Sequence, residues 1–236
     1  MRFATTRWSM VLAARGEEAA DARRALGELC EAYWYPLYTF VRGQGYKEDQ
    51  AADLVQGFFA HLLEKEALAG VDSARGRFRS FLMACCSHYL RNQDDRDRAA
   101  KRGGRLSFVS IDRAEAEGRY RLEPSHAMTA EHLFERRWAM TVLERALERL
   151  EFEMVRSGRG RLYRAIRPIL LGGEGRTSYA EIAAELGLSE EAARAAAHRL
   201  RKMYREILRD EVGRTVAGDA EIGDEIRDLF AALGGD

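Results

Sequence analysis

The residue types that carry covalent or metal chemistry are present in this chain, but not at working spacings. Glu123-Pro124-Ser125-His126 is its E-x-x-H stretch, and an internal proline with no second copy argues against a helical metal site. His61, His88, His126, His132 and His198 follow no ligand spacing. Gly172, Gly173 and Gly175 lack the Lys-Ser/Thr that completes a phosphate-cradling loop. Cys30, Cys85 and Cys86 form an odd set without a C-x-x-C pair, which suits neither a disulfide framework nor a zinc site. The expectation is a non-enzyme with no metal and no cofactor, in a reducing, cytoplasmic compartment. What remains is reversible binding chemistry: arginine forks, with lysine, asparagine and aromatic rings, at helical intervals.

The densest such set lies between Thr177 and Arg209. Ser178 stands three residues before Glu181, the spacing of a capping box. Tyr179, Ile182, Ala183 and Leu186 follow at helical spacing, and Gly187 supplies the stop. Leu188 is expected to plug the turn. Ser189 then caps a second helix, with Glu190 and Glu191 placed well against its dipole. Two helices joined by so short a glycine turn predict a helix-turn-helix. Ala193, Ala197, Leu200, Tyr204 and Leu208 make the buried stripe, while Arg194, His198, Arg201, Lys202 and Arg205 form a cationic outer face. Arg199 falls toward the flank of the stripe. Such a face can be an ordinary solvated one; cap, turn and cationic row together point to a DNA major groove.

The whole chain must position that set. Its 236 residues allow two modest domains, and 46% hydrophobic with 32% charged residues suits a mostly helical chain. The formal net charge is zero, but the charges are segregated. Residues 71–106 and 156–215 each carry a net +5, and beyond Thr215 six acids face Arg227 alone. Two basic islands in acidic surroundings predict two anion contacts. No apolar run approaches membrane-spanning length.

In chain order, Thr6 leads a short helical patch through Trp8, Val11 and Leu12, and a helix follows over about 20–41 with Pro36 inside it. The next helix has Ala52, Val55, Phe59, Leu62 and Leu63 as its stripe. Glu48, Asp49, Asp53 and Gln56 lie on its other side with Leu54 and Phe58. That side is either a solvated acidic turn or a partner surface. A helix over about 76–98 points Phe78, Phe81, Leu82, Cys85 and Tyr89 inward, with Cys86 as a further candidate, then turns polar through Arg91, Asn92, Gln93, Arg96 and Arg98 to Lys101, Arg102 and Arg105. Arginines interleaved with aromatics suit phosphates and unpaired bases, although the aromatics fit a core equally well. Periodicity fails over 107–129, predicting a linker. Helices are expected at about 130–156 and 162–171, and a short amphipathic one from Ile222 to Leu233.

This order resembles bacterial RNA polymerase sigma factors of the extracytoplasmic-function (ECF) class, in the sigma-70 family. YWYPLYTFVRGQGYKEDQAADLVQGFF resembles the segment that docks on the polymerase clamp. GRFRSFLMACCSHYLRNQDDRDRAAKRGG resembles the segment that melts and reads the minus-ten element, and TSYAEIAAELGLSEEAARAAAHRLRKMYREILR the one that reads the minus-thirty-five element. The resemblance implies an all-α fold of two helical domains joined by a linker. These are a region-2-like domain over 1–106, a linker over 107–129, a region-4-like helix-turn-helix domain over 130–215 and an acidic helical tail over 216–236. It implies core polymerase, held at the clamp of its largest subunit by Glu48, Asp49, Asp53, Leu54 and Gln56. It implies melted promoter DNA along Phe81, Tyr89, Arg91, Asn92, Arg96, Arg98, Lys101 and Arg102. Upstream duplex falls to Ser189, Arg194, His198, Arg199, Arg201, Lys202 and Arg205. An anti-sigma protein or a Ser/Thr kinase is the further partner it brings in, and no membrane is involved. The competing reading is a helix-turn-helix regulator that binds DNA without engaging polymerase; a separate acidic face beside a basic aromatic helix is what such a regulator does not need.

Overall fold

The computed structural model describes residues 19–64, 77–99, 113–121, 128–170, 178–216 and 218–234. These residues are all-α, with no strand among them. The helices are α1 (Ala19–Gly43), α2 (Glu48–Glu64), α3 (Phe78–Ala99), α4 (Arg113–Tyr120), α5 (Ala130–Arg156), α6 (Gly160–Leu170), α7 (Tyr179–Leu186), α8 (Glu190–Gly213) and α9 (Ile222–Leu233). The patch expected at Thr6–Leu12 lies outside the described residues. So do the Gly172–Gly175 turn, Lys101, Arg102 and most of the expected linker.

Packing groups the chain into two units, Met1–Thr141 with Val212–Asp236, and Val142–Glu211. These bounds differ from the 1–106, 107–129, 130–215 and 216–236 division expected from sequence, because the start of α5 and the chain end both pack with the first unit.

The first unit has an aromatic core. Tyr33, Trp34, Leu37, Phe40 and Val41 of α1 meet Val55, Phe58, Phe59 and Leu62 of α2, Phe78 and Leu82 of α3, and Leu133, Phe134 and Trp138 of α5. The Tyr33 and Phe78 rings meet edge to face with centroids 5.1 Å apart. The Trp138 indole N–H donates to Tyr33 Oη at 3.0 Å, so both polar ends are satisfied in the core. Each large side chain so buried contributes about 1.5–3 kcal/mol. The row of α3 that goes inside is Phe78, Leu82, Cys86 and Leu90, spaced by four. Phe81, Cys85 and Tyr89, expected inside, occupy the neighbouring row and are half-buried. Phe58, expected on the outer side of α2 with Leu54, is buried against Phe59 and Tyr89.

The stretch expected to be a linker contains α4. Its sequence has little apolar periodicity; Ala116 and Tyr120 are buried, the Tyr120 ring meets Tyr38 edge to face, and charge fastens the helix further. Glu117 accepts from Arg42 Nη2 at 2.9 Å, from Arg42 Nε at 3.1 Å and from the Tyr38 hydroxyl at 2.7 Å. Arg42 also lies over the Tyr120 ring, 4.7 Å from its centroid. Burial pushes the Glu117 carboxyl up, but the Tyr38 and Arg42 hydrogen bonds outweigh this and hold it below its ordinary value.

The second unit is built on Ala146, Leu150 and Met154 of α5, Tyr163, Ile166 and Ile169 of α6, Ile182 of α7, and Ala193, Ala196, Ala197 and Leu200 of α8. Tyr163 donates to the Leu147 carbonyl at 3.4 Å. Alanines on the inner side of α8 let its backbone approach the neighbouring helices closely, which leaves its long residues for the outside.

Candidate nucleic-acid interface

Local chemistry sets the helix-turn-helix. Ser178 sits at the N-cap of α7 in extended backbone; its Oγ accepts from the Glu181 N–H at 3.2 Å, and its own N–H donates to Glu181 Oε2 at 2.7 Å. Both halves of the capping box are therefore made. Gly187 ends the helix at φ 66°, ψ 35°, a left-handed conformation that a residue with Cβ adopts only at a cost. The Leu188 N–H then reaches back to the Ala183 carbonyl at 2.9 Å. Leu188 itself is exposed at 43%, so the closure of the turn is made by backbone and not by the expected side-chain plug. Ser189 caps α8, its Oγ accepting from the Ala192 N–H at 3.1 Å.

On α8 the outer face is as spaced. Arg194, His198, Lys202 and Arg205 are exposed, Arg201 is half-buried, and Arg199 is exposed on the flank. Arg194 donates to Glu190 Oε1 at 2.6 Å and lies 5.5 Å from the Tyr179 ring centroid. Arg201 Nη1 donates to the Tyr179 hydroxyl at 3.2 Å, so one tyrosine of α7 braces two arginines of α8. Lys202 pairs loosely with Glu206 at 3.9 Å. Arg205 Nε is spent on the Arg201 carbonyl at 3.3 Å. This geometry offers a row of guanidinium and imidazole donors about 16 Å long from Arg194 to Arg205, at 1.5 Å per residue.

The second set is carried by α3. Arg91 and Asn92 are exposed, and Asn92 Nδ2 lies 3.1 Å from His88 Nδ1. Tyr89 packs on Phe58 and His61 at 5.8 and 5.6 Å between centroids, while Gln93 Nε2 donates to its hydroxyl at 2.8 Å. Phe81 is half-buried, 6.3 Å from Phe78. The backbone of Arg96 and Arg98 continues α3, and their side chains lie outside the described residues, as do Lys101 and Arg102 entirely. Beside Tyr89, a cavity of about 320 Å³ opens between α2 and α3, lined by Phe58, His61, Leu62, Cys85 and His88 among others. Burial pushes the Cys85 thiol up and Cys86 up to about 12, which disfavours thiolate chemistry there.

On α2, Asp49 and Asp53 are exposed one turn apart, and Glu48 and Gln56 are half-buried beside them. Leu54 is half-buried on the other margin of the exposed side. Among the described residues no three His, Cys, Asp or Glu side chains are grouped to hold a metal, and no helix is long and apolar enough to cross a membrane.

One set of charges escaped the sequence reading. Arg79, buried in the first unit, is clasped by Glu225 and Asp228 of α9 and by Glu135 of α5, with its guanidinium 4.5 Å from the Trp138 ring centroid. The nearest sequence signal was the acidic composition of the tail, which says nothing of its partners.

Among known proteins, a family model described as ECF sigma factor matches residues 27–213. No curated protein and no solved structure matches the chain significantly.

Proposed function

The chain belongs to the ECF sigma factor family, which gives it a role in transcription initiation, and from that premise we propose that it binds core RNA polymerase and directs it to a two-part promoter. The supporting observation is the α7–α8 pair, a fully capped helix-turn-helix with small residues inside and a row of Arg194, His198, Arg201, Lys202 and Arg205 outside. In this reading the first turn of α8 enters the major groove of the upstream element. Arg194 reads a base edge there, while Arg201, Lys202 and Arg205 grip phosphates, with Ser189, His198 and Arg199 beside them.

The opened strand runs along Arg91, Asn92, Arg96, Arg98, Lys101 and Arg102, with Phe81 and Tyr89 supporting or stacking. Glu48, Asp49, Asp53, Leu54 and Gln56 meet the clamp of the largest subunit. The domain bounds that go with this are 1–106, 107–129, 130–215 and 216–236. The protein works in the cytoplasm and performs no chemistry itself; polymerase does. An anti-sigma protein or a kinase-linked regulator is the restraining partner the family reading brings.

The test is transcription with purified core polymerase on a genomic fragment library. Start sites sharing a two-part promoter support the proposal. Silence across the library, with duplex binding retained, favours a helix-turn-helix regulator independent of polymerase.

A further inference from the structure

The family match ends at residue 213, yet the next twenty residues are built into the first unit. The Phe78 N–H, at the start of α3, donates to the Thr215 carbonyl at 3.3 Å, and Val212 and Val216 are fully buried. From there α9 lays two carboxylates onto two arginines at the head of α3. Glu225, wholly buried, accepts from Arg79 Nε at 2.9 Å and faces Arg77 Nε at 2.8 Å. Asp228 pairs with both Arg77 and Arg79.

The network has an inner and an outer half. Arg79 is buried, keeps Glu135 and Trp138 in any case, and reads as a brace. Arg77 and Asp228 are the outer half, with side chains 26% and 46% exposed. Carboxylates on paired guanidiniums use the same forked geometry as phosphate oxygens. Of the apolar residues of the helix that presents them, Ile222 and Leu229 are buried, Ile226 and Leu233 are half-buried, and Phe230 is 55% exposed. Its hold on Arg77 is electrostatic, with Glu225 buried against Nε and the Asp228 half solvent-accessible and open to competition by salt or phosphate.

We propose that α9 is an acidic latch, an internal stand-in for nucleic-acid phosphate that occupies Arg77 and keeps it from the opened strand until displaced. This rests on the reading of α3 as the strand-holding helix. Arg77 extends the basic island of Arg91 and Asn92 by about four turns toward its N-terminal end. Releasing it adds one phosphate contact.

The experiment measures binding of the full chain to a labelled single-stranded oligonucleotide across a salt series. Asp228→Asn changes a half-buried residue at the outer edge of the network and should keep the fold, which a thermal melt checks; Glu225→Gln with Asp228→Asn opens the latch further. Both should bind more tightly than wild type, and the salt slope should steepen by roughly 0.7 per arginine released. Adding Arg77→Ala should cancel the gain. Asp224→Asn, which removes the same charge from α9 at a residue paired with Arg227, should not reproduce it. Unchanged affinity and slope in Asp228→Asn and in the double variant would reduce α9 to a brace, and an equal gain in Asp224→Asn would reduce the effect to net charge. Arg91→Ala separates the two readings. If it leaves binding untouched while the Arg77-dependent gain persists, the strand path is wrong and the latch stands; if it weakens binding while Asp228→Asn does nothing, the latch alone fails.

Discussion

Arg194 and Glu190 are paired across one turn of α8, 2.6 Å apart, with side chains 64% and 48% exposed. An exposed pair at this spacing contributes only about 0.3–0.5 kcal/mol. A bidentate contact from arginine to guanine gives about 1–3 kcal/mol of discrimination, so Glu190 positions Arg194 without holding it back. Arg194→Ala should relax preference at one upstream position, whereas Arg201→Ala and Arg205→Ala should weaken all sequences alike. Selection from randomised upstream duplexes decides this. A wild-type preference profile in Arg194→Ala beside an altered one in Arg201→Ala would place the helix in a different register.

Asp49 and Asp53 project from α2 one turn apart, and neither is part of the core. Reversing both charges should abolish co-purification with core polymerase. Thermal stability should stay within about 1 kcal/mol, since exposed charges contribute little to folding. Undiminished polymerase binding in the folded double variant overturns the assignment.

Glu117 fastens α4 to α1, and its carboxyl is held below the ordinary value near 4.5. A carboxylate whose folded pKa is depressed binds fewer protons folded than unfolded, so its stabilisation is present above the unfolded value. It is lost as pH falls through the folded one. The stability difference between wild type and Glu117→Gln should therefore be full near neutral pH and shrink as pH drops below about 4.5. Thermal melts of both proteins across that range check the sign. Glu117→Ala, which leaves Arg42 without this partner, should cost roughly 3 kcal/mol at neutral pH.

How legible each of these features was depended on the range of the interaction. The capping box of Ser178 with Glu181 and the stop at Gly187 are local, and both read directly from spacing. The inward row of α3 was read in part: Phe78, Leu82 and the further candidate Cys86 are buried, whereas Phe81, Cys85 and Tyr89 occupy the neighbouring row. Phe81 and Tyr89 are the larger residues, yet Cys86 and Leu90 lie on the row that continues Phe78 and Leu82. Size misled where spacing by four was the better guide. α4 was invisible because its buried apolar residues are only Ala116 and Tyr120; much of its hold is Glu117 on Arg42, 75 residues away in sequence. The buried state of Glu225 depends on Arg79, 146 residues away, and nothing in the tail's composition encodes that pairing.

The last prediction concerns the contact that fixes Tyr89 of α3 against α2. Gly57, inside α2, faces the Tyr89 hydroxyl so closely that a Cβ there would lie 2.5 Å from it, but 3.6 Å from the adjacent ring carbon. Alanine inside a helix normally stabilises by about 1 kcal/mol relative to glycine. Here it must push Tyr89 away from Gln93, whose amide donates to that hydroxyl. Overpacking of this kind costs about 1–3 kcal/mol, enough to cancel or reverse the gain. Removing the hydroxyl should restore it. Gly57→Ala should thus be neutral to destabilising in wild type and stabilising in Tyr89→Phe, with a coupling of at least about 1 kcal/mol in a double-mutant cycle. Chemical denaturation of the four proteins measures it. Strict additivity would mean that the tyrosine ring yields freely, and that Tyr89 is not fixed against α2 in solution.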